Sequence, residues 1–303
     1  MKELYNSVTY YGISQIIKNY ANFPDSIPLP VGIQHGWTVF PGKDDARFES
    51  VENWYWSKEI EQKYREKFDG LNTRVVGAPF LYLLKIMNYS ELPLSQRKGS
   101  IVFPSHSSAL IGMECDFSEY ADMLDRLPDE YKPITVCIYH LDRDKSLDKP
   151  FLEKGFEVVT NGTNLYETNF LKNYVFNTQT KKYAFSNQMT SALLFASAMG
   201  LTSFFYGPTF STKSSDPNYQ GIDYTKHHRQ WESQYSKYFA FPDCNLAEQQ
   251  KLVARELGKE QILLPSEMNT VLWSLVLKQP YLIKLLKQWL KKWVGQSTLK
   301  SKL

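Results

Sequence analysis

Two kinds of side chain in this sequence could move a proton or hold an anion, and both occur where short apolar runs stop. His35 follows the run 31–34 and precedes Gly36. An imidazole there titrates near working pH and could act as general base toward a hydroxyl, or simply cap the strand by hydrogen bonding. Ser105, His106, Ser107 and Ser108 follow the run 100–103. They offer hydroxyls and an imidazole to diphosphate oxygens, or form a polar turn that caps the next helix. Ser186, Asn187 and Gln188 follow the run 183–185, where a helix is expected to begin. Helix N-termini present unpaired N–H groups and a positive dipole end, so this turn reads as an anion cradle, with phosphate the commonest such anion. Gly162 and Thr163, after the run 156–160, would let a base or ribose approach bare backbone; an ordinary β-turn uses the same residues.

The elements that must position these turns alternate. Residues 155–207 read as strand, glycine turn, helix, strand, polar turn, helix and strand, which predicts an α/β fold with a parallel sheet and right-handed crossovers. Upstream, 5–22 has helical spacing, 23–30 is a Pro-rich connector, 41–50 a loop, 57–68 a charged helix, and 74–76 a strand before an apolar helix. The polar segment 90–99 is the best interdomain linker. Beyond it, 117–127 reads as a helix and 134–139 as a strand ending in His140-Leu141-Asp142. Residues 208–240 read as a long loop, and 245–257 and 266–278 as helices. Strand ends share one edge of a parallel sheet, so all these turns could converge on one cleft between two sheets.

Composition narrows the partners. At 303 residues with 43% hydrophobic and 22% charged residues, the chain is globular. Its net charge of +3 is uneven: from Lys278 onward there are seven Lys and no acid, leaving 28 basic against 32 acidic residues, about −4. The body therefore has no electrostatic case for nucleic acid. Cys115, Cys137 and Cys244 lack metal or redox spacing, and His227-His228 is adjacent rather than at i, i+4. Asp142-Arg143-Asp144 is the nearest approach to a carboxylate metal site and reads rather as a salt-bridged loop, so neither a metal nor another cofactor is expected. The first residues lack the apolar core of a secretory signal and no run is long enough to span a bilayer, so the expected place is the cytoplasm.

Taken in order, 31–37 (VGIQHGW), 75–80 (VVGAPF), 100–108 (SIVFPSHSS), 135–142 (TVCIYHLD), 155–162 (GFEVVTNG) and 185–200 (FSNQMTSALLFASAMG) resemble bacterial glycosyltransferases of the GT-B fold that build capsule and lipopolysaccharide. The resemblance implies two Rossmann-like domains facing a cleft, with the first shortened: an acceptor-side domain over 1–95 and a nucleotide-sugar domain over 96–279. It also implies that Ser186, Asn187 and Ser191 bind the diphosphate, that Gly162 and Thr163 lie near the base, and that His35 faces the acceptor. A nucleotide sugar would be the donor, and a glycan or lipid-linked sugar the acceptor. The Glu that often binds ribose in that family has no clear counterpart here. A CDP-polyol phosphotransferase of the same fold, or a non-catalytic scaffold in a polysaccharide-assembly complex, are the competing readings.

The last element, 280–303, starts as an amphipathic helix. Leu282, Leu285, Leu286, Trp289, Leu290 and Trp293 share one face, while Lys284, Lys287, Lys291 and Lys292 take the rest of the wheel. That pattern suits a helix lying in an anionic membrane interface on the inner face of the plasma membrane, or an apolar stripe docked on the body.

Overall fold

Short runs of β-branched and aromatic residues build two parallel sheets in the computed structural model, which describes residues 3–48, 50, 52–108, 111–214, 233–279 and 283. The first sheet is β1 (Val31–Ile33), β2 (Glu52–Tyr55) and β3 (Thr73–Val75), side by side in that order. The second contains β4 (Ser100–Val102), β6 (Ile134–Cys137), β7 (Glu157–Val159), β8 (Tyr183–Ser186) and β9 (Thr202–Phe205), in the order β7-β6-β4-β8-β9. Its register sets Val102 between Val136 and Phe185. The chain winds outward from β4 toward β7, then returns to pair β8 on the other flank of β4. The crevice beyond the carboxyl ends of β4 and β8 is therefore a topological switch point, the usual ligand position in such sheets.

Three strands escape the sequence pattern. Residues 52–55 form β2 although Glu52 and Asn53 are polar; both are buried. Burial is tolerated because the Glu52 carboxylate takes a bidentate pair from Arg74 (2.7 and 3.0 Å) and the Trp54 indole N–H (2.7 Å). The other two, β5 (Gly112–Cys115) and β10 (Phe210–Lys213), form an antiparallel pair; the segment expected as loop over 208–240 thus begins with a strand. The 5–22 helix is also corrected. A 3-10 segment (Asn6–Gly12) breaks at Tyr10 and Tyr11, and only α1 (Ile13–Ala21) is regular helix.

Buried apolar side chains from both sheets belong to one continuous cluster, from Val31 and Trp54 to Ile101, Ala184 and Leu272. Phe80 of α3 (Pro79–Ile86) stacks on Phe195 of α8 (Ser191–Ala198) at 4.1 Å, and meets Tyr174 edge-on at 5.6 Å. Residues 90–99 are fastened to this body: buried Arg97 donates to the carbonyls of Gly200 (2.9 Å) and Met199 (3.3 Å), the end of α8. Gly258, at φ 64°, is held against the Trp56 carbonyl; a Cβ there would sit 1.7 Å from that oxygen. Gly258→Ala should therefore destabilise the fold by more than 1 kcal/mol, roughly the usual cost of an incompatible left-handed position, read by chemical denaturation. No described helix is long and apolar enough to cross a membrane.

Candidate active-site cleft

Both sheets aim their carboxyl ends at one cavity of about 380 Å³. His35, Gly36 and Trp37 reach it from beyond β1, Trp56 from β2, and Pro79 and Phe80 from beyond β3. From the second sheet come Phe103, Pro104 and His106 after β4, Ile138 and Tyr139 after β6, Thr160 and Asn161 after β7, and Gln188 to Ala192 after β8. Among the parallel strands, only β9 sends nothing. Met113 and Thr212 of the β5–β10 pair close one side.

His35 is oriented by a partner ten residues away. The Asp45 carboxylate lies 2.8 Å from His35 Nδ1 and also accepts the His35 backbone N–H at 3.3 Å. Asp45 is buried on a 3-10 turn (Lys43–Asp45), whose carbonyl accepts from the Tyr55 hydroxyl at 2.9 Å. An ionised carboxylate can only accept, so Nδ1 carries the proton and the basic lone pair is on Nε2. Tyr10 packs edge-on against the imidazole at 5.2 Å. Gly36 has no left-handed backbone, and a Cβ there would make an ordinary contact with Ser191 Oγ at 3.7 Å. The orientation of His35 thus comes from Asp45 rather than from glycine freedom.

The expected anion cradle is arranged differently. Ser186 is the buried last residue of β8, and its hydroxyl accepts from the Gln188 N–H at 3.2 Å. Asn187 is also buried: Oδ1 accepts the Ser105 N–H (2.7 Å), while Nδ2 donates to Ser105 Oγ (3.0 Å) and the Pro208 carbonyl (3.1 Å). Ser107 gives its N–H to Asp142 Oδ2 (3.1 Å) and accepts from the Met113 N–H (3.1 Å). Ser105, Ser107, Ser186 and Asn187 therefore knit the loops beyond β4, β6, β8 and β9 together, and none of them lines the cavity. The helix starts later than expected, with Thr190 as N-cap accepting from Leu193 N–H and Ser191 as first helical residue. Asn187→Ala should consequently cost about 1–3 kcal/mol of stability, since it strands the buried Ser105 N–H. A thermal melt reads this directly.

The other predicted residues divide between the cavity and its surroundings. Ser191 lines it and accepts the Trp37 N–H at 2.8 Å, bolting the α8 end to the loop that carries His35. His106 is exposed at the cavity, stacked on Tyr139 at 4.3 Å, with Nδ1 2.9 Å from the Ser107 carbonyl. Gly162 is buried under Glu167, and Thr163 is exposed beside it; Thr160 and Asn161 take the cavity wall in their place. The membrane residues Lys284, Lys287, Trp289, Lys291, Lys292 and Trp293 lie outside the described residues.

Asp45, Trp37, Thr190, Tyr11 and Tyr139 are site residues that the sequence pattern did not single out. The cavity, which Trp37, Thr190, Tyr11 and Tyr139 line and Asp45 only backs through His35, carries almost no charge. Its described lining has aromatic rings, hydroxyls, amides and two imidazoles, but no Lys, Arg, Asp or Glu. Burial pushes the Cys137 thiol up to about 12, so it stays neutral and unreactive. Among the described residues no three His, Cys, Asp or Glu side chains are grouped as a metal ion would need.

No family model and no curated protein matches the chain. Among solved structures it is similar to S. aureus MnaA in a co-structure with UDP (TM-score 0.36, 9% identity, 72% of this chain and 55% of that one). It is also similar to an S. aureus TarM mutant in complex with fondaparinux, alpha-GlcNAc-glycerol and UDP (0.35, 11%, 89% and 52%). A glycosyltransferase from Rickettsia africae is similar over 91% of this chain and 82% of that one (0.35, 10%). The chain spans about half the length of the first two. At such TM-scores these likenesses bear on neither the fold nor the activity.

Proposed function

We propose that this protein transfers a sugar from a nucleotide-sugar donor to a hydroxyl of a growing surface glycan, without a metal ion. The observation that carries the reading is the meeting of His35–Asp45, from the first sheet, with the switch-point turns of the second across one cavity. His35 Nε2 takes the proton of the acceptor hydroxyl as its oxygen bonds to the anomeric carbon. The bond from that carbon to the diphosphate breaks, and its electron pair leaves with the diphosphate. The α8 N-terminus, with Thr190 and Ser191 at the cavity, stabilises that leaving anion through N–H groups and the helix dipole. In this reading residues 1–95 form the acceptor side and 96–279 the donor side.

Thermal melts and calorimetry with UDP, GDP, CDP and dTDP and their sugars test this. A ligand at a hundred times its Kd should stabilise the fold by about 2.7 kcal/mol. A CDP-polyol that binds and is turned over would shift the reading to phosphotransfer of a polyol phosphate. No stabilisation by any of them would support a non-catalytic scaffold, a reading favoured by the absence of Lys and Arg from the described cavity lining.

The basic segment 280–303 supports a peripheral place on an anionic membrane, with about 1 kcal/mol expected per Lys near the surface. The full chain should pellet with anionic vesicles at low salt, and a chain truncated after Gln279 should stay in solution. Equal partitioning would return the helix to the protein surface.

A further inference from the structure

Two phenol hydroxyls in the cavity have no hydrogen-bond partner among the described residues. Tyr11 and Tyr139 both line it, one from the N-terminal segment and one from the turn after β6. Several other polar groups around them are already paired: Asp45 with His35, Ser191 with Trp37, and Asn161 with Asn177 at 3.0 Å, while the buried Gln188 Oε1 at the same cavity has no partner among the described residues. Both phenol oxygens stay open to the cavity, so a ligand that enters can take over the hydrogen bonds that water otherwise makes there.

Tyr11 is held there against its own backbone preference. Its φ is 57° and its ψ 16°, the left-handed region that a bulky side chain rarely adopts. The segment is pinned from the second sheet's side. The Tyr11 N–H donates to the Leu165 carbonyl at 2.9 Å, its ring packs on Phe170 at 4.7 Å, and Gly12 lies so close to Thr168 that a Cβ would be 2.2 Å from that carbonyl oxygen. Tyr139 is fixed by stacking on His106 at 4.3 Å with 28° between the rings.

We propose that Tyr11 and Tyr139 form the hydroxyl-reading pair of a sugar subsite within this cavity. The proposal rests on the transferase reading above and assigns it a neutral carbohydrate ring as the group held between the sheets. Three features fit a sugar rather than a charged group. The walls include the aromatic residues Trp37, Phe103 and Phe170, apolar surface of the kind that packs against the C–H groups of a pyranose. The described lining offers no Lys or Arg to pair with a buried anion. Burial also raises both phenol pKa values, Tyr139 to about 12, so each remains a neutral O–H that can both donate and accept, as sugar hydroxyls require. The diphosphate then lies toward the α8 N-terminus, with the sugar deeper among the rings.

The test removes only the oxygens. Tyr11→Phe, Tyr139→Phe and the double variant keep the rings and should melt close to the parent. Affinities are measured by calorimetry for UDP, GDP, CDP and dTDP and for their glucose, galactose, mannose and N-acetylglucosamine conjugates. The proposal predicts that one sugar conjugate binds the parent more tightly than its bare nucleotide. Each single variant should lose about 3- to 10-fold of that added affinity, with the bare nucleotide unaffected. Sugar conjugates that bind no better than nucleotide alone, or variants that bind them like the parent, would overturn the subsite and leave the transferase reading standing. If no nucleotide binds, the transferase reading falls. The subsite is then judged by saturation-transfer NMR with the same four free sugars: a signal in the parent that drops in both variants upholds it, and its absence overturns it.

Discussion

His35→Ala should lower sugar transfer by about 10²–10⁴-fold, the usual contribution of a positioned general base, with a melting temperature close to the parent. The side chain is partly exposed, 30% by area, so truncation opens no core cavity. The expected loss falls on turnover, with donor binding retained and the acceptor hydroxyl left without its base. Asp45→Asn tests the same pair from the other side. An amide at that position can donate to Nδ1, which favours the wrong tautomer and takes the lone pair away from Nε2. Its effect should approach that of His35→Ala, and the double variant should be little worse than either single one, because the two residues act as a unit. Additive losses would show that His35 and Asp45 work separately.

The second large effect is on stability. Phe80→Ala should cost about 3–5 kcal/mol and lower the melting temperature by roughly 10 °C. Phe80 is fully buried, stacks on Phe195 and meets Tyr174, so its loss leaves a void where helices from the two sheets pack. If the two halves were independent units touching through a thin interface, the same substitution would separate them without a comparable loss. Two unfolding transitions in calorimetry would show that.

The parallel sheets were legible because their strands are mostly apolar runs ended by polar or glycine turns, as in 31–34, 100–103, 134–139 and 183–185. β2 was hidden because its first two residues, Glu52 and Asn53, are polar and are satisfied only by tertiary partners such as Arg74 and the Arg47 backbone. The clustering of turns at one edge follows from strand polarity and could be argued without coordinates. Individual roles could not. Ser105, Ser107 and Asn187 have the residue types of an anion cradle, and those same hydrogen-bonding groups serve equally well to staple loops to one another. Only packing tells the two uses apart. Asp45 gave no signal, since nothing in the nine intervening residues links it to His35. The left-handed Tyr11 was equally silent, because its conformation is imposed by Leu165, Thr168 and Phe170, more than 150 residues away in sequence.

In the proposed mechanism a nucleotide sugar sits where the two sheets meet. Hydrogen–deuterium exchange at saturating donor tests it most directly, because backbone amides report position without any substitution. Slowed exchange is expected together in the segments 34–37, 103–108, 137–141 and 188–193, from both sheets, with the charged helix 58–67 unchanged. Protection confined to one sheet, or found away from these strand ends, would contradict it.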